Sequence, residues 1–206
     1  MHAGINKARA AYPVRAKTPF DYDTILCLSH ANRKICNARL NEHKACLAEA
    51  SGKTTCHLKW EGDDIKGATC QPQDMIVWEG IELIGCPRGT GKICNIVQGV
   101  IYTVLTINDT EMILEMRAEY ICKPRDDSDC IEEAAPNRVR VALEDVPAAL
   151  RLKFRQCYYT CQGRSFYRGR QTLLLDTEHP RFNRRALIVG MTCTSQRQVT
   201  VHVSQA

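Results

Sequence analysis

At 206 residues, 44% hydrophobic and 25% charged, with a formal net charge of +5, the chain has the length for one α/β domain or for a domain carrying a small inserted module. No apolar run approaches the ~20 residues needed to cross a bilayer, and Met1 to Lys7 lacks the apolar core of a signal peptide, so an intracellular protein without a membrane partner is expected. The twelve cysteines include no Cys-x-x-Cys pair; the nearest spacings are Cys157-x3-Cys161, Cys86-x7-Cys94 and Cys122-x7-Cys130, which argues against structural zinc, whose thiolates come in close pairs.

Residues 1–20 are basic, contain Pro13 and Pro19, and show neither helical nor strand periodicity. They read as a lead-in segment to a domain over 21–206. Thr24 to Leu28 is a continuous apolar run suited to a strand buried on both faces of a parallel sheet. Ser29 follows as a helix N-cap. A helix is predicted over 31–50, with Cys36, Leu40, His43 and Leu47 at helical spacing and Ser51-Gly52 ending it. His30 and His43 read as surface or packing residues. A strand followed at once by an amphipathic helix opens an α/β unit.

From Thr54 the periodicity shortens. Gly80 to Gly85 and Gly99 to Ile107 alternate apolar and polar residues, Asn108-Asp109 is a turn, and Met112 to Met116 returns. The expected product is a small antiparallel β insertion over 54–122, followed by an exposed acidic loop over 123–137. Charge then changes sign. Asn108 to Ala135 holds nine acids against three bases, and Asn137 to the end holds twelve bases against four acids. The C-terminal third therefore suits a surface facing phosphates, or a solvated basic face. Gly89-Thr90-Gly91-Lys92 imitates a phosphate loop. That loop needs a first glycine where Cys86 stands and a hydroxyl where Ile93 stands, so a plain turn is the better reading.

The last fifty residues carry the most specific pattern. The run Cys157-Tyr158-Tyr159-Thr160-Cys161-Gln162-Gly163-Arg164-Ser165 precedes an apolar strand, Leu173 to Asp176. A helix-like segment, Arg185 to Thr192, leads to the alternating strand Val199 to Val203. This order resembles the end of a superfamily 1 helicase of the RecD or UvrD type. The Ser29-His30-Ala31-Asn32 turn and following helix resemble the opening of the second motor domain. Gln98-Gly99-Val100-Ile101-Tyr102-Thr103-Val104 is similar to the small-barrel signature of RecD-like helicases.

The resemblance implies a RecA-like α/β fold, a parallel sheet with helices and a small antiparallel β insertion, equivalent to the C-terminal motor domain without its phosphate-loop partner. It implies single-stranded nucleic acid as ligand, with Tyr159, Thr160, Gln162, Gly163 and Arg164 at the nucleic-acid turn. Tyr158 and Tyr159 could stack on bases, and buried packing is an equal alternative for both. Thr192 matches the hydroxyl before the family's nucleotide-contacting arginine, and Cys193 replaces that arginine, so that either Arg197 or Arg184 compensates or, the favoured reading, the site is dead. It further implies no ATPase activity and no cofactor for the chain alone, with ATP and Mg²⁺ only alongside a phosphate-loop-bearing helicase half. Two other readings remain open: a non-enzymatic basic nucleic-acid-binding module, and a cysteine-rich metal or redox protein.

Overall fold

In the computed structural model, residues 2–13, 22–63, 71–87, 95–117, 137–158, 171–177, 179–192 and 199–203 are described. The chain runs α1 (His2–Ala11), β1 (Thr24–Cys27), α2 (His30–Ala50), β2 (Thr55–Leu58), β3 (Met75–Trp78), β4 (Glu82–Gly85), β5 (Ile101–Ile107), β6 (Glu111–Met116) and β7 (Arg138–Ala142). A 3-10 turn (Leu143–Asp145) then leads into α3 (Val146–Ala149), β8 (Leu150–Leu152), β9 (Arg155–Cys157), β10 (Gln171–Leu175), α4 (Arg184–Thr192) and β11 (Val199–Val203). Two compact units divide these elements: residues 1–40 with 153–206, and residues 41–152.

The first unit is built on four parallel strands in the order β11-β10-β1-β9. All four residues of β1 are buried, as expected for a strand with neighbours on both sides and cover on both faces. Side chains alternate across such a strand. Leu26 of β1, Leu173 and Leu175 of β10 and Tyr158 after β9 share one face, where Ile5 of α1 and Phe182 and Ala186 near the start of α4 complete an apolar cluster. Ile25 and Cys27, Arg155 and Cys157 take the opposite face by the same alternation. Asn183 caps α4, its Oδ1 accepting from the Ala186 N–H at 3.0 Å.

Two sequence expectations change here. The lead-in segment 1–20 includes a helix, α1. Its apolar stripe is little more than Ile5 and Ala8, too sparse to read as periodicity, and packing against the sheet supplies what the sequence pattern lacks. The buried stripe of α2 is also displaced from Cys36, Leu40, His43 and Leu47. His43 is exposed and Leu47 is 58% exposed, while Asn37, Leu40, Asn41, Ala45 and Ala48 are buried.

Two asparagines explain the rotation. In the first unit, Asn37 Nδ2 donates to the Arg155 carbonyl at 3.1 Å, and the Arg155 N–H donates to Asn37 Oδ1 at 2.6 Å. The neighbouring Phe154 carbonyl faces β1, accepting from Ile25 at 2.8 Å, so the Arg155 peptide groups face the open side of this edge strand. In the second unit, Asn41 makes the same paired bond with Ile76 of β3, at 2.7 and 2.6 Å. A side-chain amide reproduces the donor–acceptor pair of a strand neighbour and occupies an otherwise reactive edge.

The second unit holds a five-stranded antiparallel sheet, β7-β6-β5-β4-β8, and a two-stranded ribbon, β2-β3. β6 alternates buried and half-buried side chains, the pattern of a sheet with one covered face. This unit takes in residues 54–122 and extends past them on both sides. The acidic loop expected over 123–137 lies outside the described residues except for Asn137. Cross-strand ion pairs join Arg117 to Glu82, Arg138 to Glu115 and Arg140 to Glu111. Arg151 is buried and donates to the Pro147 and Leu150 carbonyls at 2.6 and 2.5 Å, satisfying acceptors left by the short α3.

Candidate functional site

In open α/β sheets, ligands collect outside the carboxyl ends of the strands. Three strand ends meet at that edge in the first unit: Cys27 closes β1, Cys157 closes β9, and Asp176 follows β10. Cys27 and Cys157 are register partners on adjacent strands. Ser29 caps α2 as its sequence position predicts, Oγ accepting from the Asn32 N–H at 3.2 Å. That cap fixes the first turn of α2 and sets His30 beside the thiols, with Nδ1 3.2 Å from Cys157 Sγ.

Arg155 is the charge at the centre of this edge. Its guanidinium donates to Asp176 Oδ2 and reaches Cys36 Sγ at 2.9 Å. Burial disfavours its charged form, but hydrogen bonding and Coulomb attraction to Cys27, with the charges of Asp176 and Cys36 adding to it, outweigh that and raise its pKa. The Cys27 thiol is lowered to about 7. The hydrogen bond with Cys157 does most of this, against the opposing effect of burial, and Arg155 adds both a hydrogen bond and its positive charge. None of Cys27, Cys36, Cys46, Cys56, Cys86 and Cys157 is in a disulfide.

The neighbourhood carries further positive charge. Arg9 of α1 donates to Thr177 Oγ1 at 2.8 Å, and Arg181, Arg184 and Arg185 are exposed around the start of α4. They are only part of the basic C-terminal third. Among its described bases, Arg151, Lys153 and Arg155 are buried, so part of the charge read as a phosphate-facing surface is spent inside the protein, while Arg138 and Arg140 are exposed and lie in cross-strand ion pairs.

Of the residues proposed from sequence, Tyr159, Thr160, Gln162, Gly163 and Arg164 lie outside the described residues, as do Cys193, Arg197 and the glycine turn at 89–92. Thr192 is exposed at the end of α4, where its hydroxyl donates to the Val189 carbonyl at 3.0 Å. Arg184 stands at the other end of the same helix. Tyr158 takes the packing alternative and is a core residue. It is 1% exposed, its hydroxyl donates to the Asp176 carbonyl at 3.2 Å, and its ring meets Phe182 edge-on at 5.6 Å.

Sequence reasoning missed Cys27, His30, Arg155 and Asp176 as a group. Only strand pairing joins residues 27 and 157, and the one local signal was an arginine two residues before a cysteine. Among the described residues, no group of three or more His, Cys, Asp or Glu side chains could hold a metal ion. The Thr192 hydroxyl, which the helicase resemblance places toward a nucleotide, is engaged by its own helix. Among the described residues, no helix is long and apolar enough to cross a membrane.

No family model and no curated protein sequence matches the chain. Solved structures do match. The crystal structure of Pif1 helicase from Bacteroides in complex with ADP-AlF3 and ssDNA aligns with a TM-score of 0.52 and 12% identity, over 100% of this chain and 46% of that one. The chain shares its fold with part of that structure. A structure of two coordinating Pif1 helicases at forked dsDNA gives 0.52 and 12%, over 98% of this chain and 43% of that one. Pif1 helicase from Candida albicans gives 0.50 and 11%, over 98% and 49%. The chain thus spans a little under half the length of these helicases, and its parallel sheet with helices and antiparallel sheets is a RecA-like α/β fold.

Proposed function

We propose that this chain is the C-terminal, second RecA-like part of a superfamily 1 helicase of the RecD or UvrD type, binding single-stranded nucleic acid and incomplete as a motor by itself. The observation that carries this reading is coverage: 98–100% of the chain aligns with 43–49% of the Pif1 structures. The order of the C-terminal run supports it, with Gln162-Gly163 after β9, then β10, α4 and β11. On this reading Tyr159, Thr160, Gln162, Gly163 and Arg164 contact the strand backbone, where a glycine permits close approach and amide and hydroxyl groups bond phosphate without reading bases. Arg181, Arg184 and Arg185 add charge at the same edge of the sheet.

Thr192 and Cys193 then fall at the nucleotide-facing hydroxyl and arginine positions. A thiol supplies no fixed bidentate cation, and such an arginine is worth several orders of magnitude in phosphoryl transfer. ATP and Mg²⁺ would accordingly require an intracellular partner bearing a phosphate loop.

The test is fluorescence anisotropy of a labelled single-stranded oligonucleotide across a salt series, with ATP hydrolysis measured on the same preparation. Expected are weak binding that falls steeply with salt and no stimulated hydrolysis. Gly163→Val should weaken binding without shifting the melting temperature. Binding indifferent to salt would refute the proposal, as would turnover by the chain alone that Lys92→Ala abolishes.

A further inference from the structure

The two buried cysteines at the carboxyl edge form a group that nucleic-acid binding does not use. Cys27 and Cys157 stand opposite each other on neighbouring parallel strands. Such residues have Cα atoms about 4.8 Å apart, inside the roughly 4.4–6.8 Å span that a disulfide bridges. His30 Nδ1 is 3.2 Å from Cys157 Sγ, and the Arg155 guanidinium lies against Cys27 and Cys36. A cation at this centre opposes a metal and favours a thiolate.

We propose that Cys27 and Cys157 are a dithiol oxidised by small hydroperoxides to a cross-strand disulfide, with Cys27 as the attacking thiolate and His30 as proton acceptor for Cys157. Cys27 sulfur attacks one oxygen of the hydroperoxide, the O–O bond breaks, and the departing alkoxide takes a proton from solvent to leave as alcohol. Cys27 becomes a sulfenic acid. Cys157 then gives its proton to His30 Nδ1 and attacks the Cys27 sulfur. The S–O bond breaks, the S–S bond forms, and the leaving hydroxide recovers that proton from His30 as water. Two thiols lose two electrons, and one hydroperoxide becomes one alcohol and one water. Cys27 and Cys157 are 1% and 0% exposed, which restricts the oxidant to small molecules entering at the strand ends. The ten remaining cysteines, including the exposed Cys46, provide an internal reference.

The experiment treats the full reduced chain with hydrogen peroxide, alkylates remaining thiols at timed points, and maps the products by mass spectrometry without reduction. A Cys27–Cys157 linked peptide pair should appear before Cys46 is oxidised and should disappear on adding dithiothreitol. In Cys157→Ser, Cys27 should stop at a sulfenic acid trapped by dimedone. In His30→Gln, closure should slow on the order of a hundredfold while the first oxidation keeps its rate. The unsubstituted chain decides the matter even if a variant misfolds. Cys27 and Cys157 persisting as thiols while Cys46 oxidises would overturn the proposal, as would Cys27 linked to any other cysteine. The assay involves no nucleic acid, so it stands or falls separately from the helicase reading.

Discussion

Replacing Asn37 with alanine removes the group that holds the open edge of β9. Asn37 is 2% exposed, and its amide satisfies both the Arg155 carbonyl and the Arg155 N–H, at 3.1 and 2.6 Å. Without it, two backbone groups remain buried and unpaired, at about 1–3 kcal/mol each, or roughly 2–6 kcal/mol together. A domain of this size loses about 2–4 °C of melting temperature per kcal/mol, so the fall should be roughly 4–24 °C. Urea denaturation of the wild type and Asn37→Ala measures the energy, and hydrogen exchange on the peptide containing 153–158 localises it. Asn37→Asp keeps the acceptor but sets a buried carboxylate oxygen against the Arg155 carbonyl, and should lose at least as much as Asn37→Ala. A loss within about 0.5 kcal/mol, as for an ordinary surface substitution, would refute the argument that this amide stands in for a missing strand.

Gly190→Ala should also destabilise, because the added Cβ would sit 2.8 Å from Leu175 Cδ2 and 2.9 Å from Tyr158 Cε1. The crowding costs about 1–3 kcal/mol, more than the roughly 1 kcal/mol alanine gains over glycine in a helix, and a thermal melt reads the sign. Thiolate absorbance near 240 nm, taken as wild type minus Cys27→Ser, should titrate with a midpoint of about 7, rising as pH increases. Its setting is Cys157 and Arg155 from β9, Asp176 from β10, and His30 and Cys36 from α2; a midpoint near the ordinary thiol value of 9.0 would show that those neighbours do not act on it. Arg184→Glu with Arg185→Glu should weaken strand binding and reduce the salt slope by roughly 1.4, about 0.7 for each phosphate no longer neutralised. An unchanged slope would remove both arginines from the interface.

The elements that could be read from sequence are those whose local signal and tertiary role agree. The run from Thr24 to Leu28 reads as a buried strand because every position after Thr24 is apolar, and β1 is buried throughout. Ser29 reads as a cap because its hydroxyl needs only the next turn of helix. The alternation across Met112 to Met116 survives as β6. The buried stripe of α2 could not be read, because two of its anchors are asparagines, and a hydrophobic pattern scores an asparagine as solvent-facing. The same limit hid the thiol cluster. Arg155 looks like surface charge until Asp176 and Cys27 are brought beside it, and parallel strands joined by long crossovers leave no trace in residue spacing.

Strand order also has a consequence for how the chain is made. Residues 41–152 form one uninterrupted stretch, whereas the unit containing the parallel sheet is assembled from both ends of the sequence. On a ribosome, β1 emerges well before its partners β9 and β10, which begin only at Arg155 and Gln171. At about 5–20 residues per second, the apolar Thr24–Cys27 segment waits on the order of ten seconds for its neighbours. The contiguous antiparallel unit is able to fold during that interval, and the non-local pairings close last, as high contact order requires. Until then the nascent chain exposes an unpaired apolar strand, and that interval is when capture by chaperones or aggregation competes with folding.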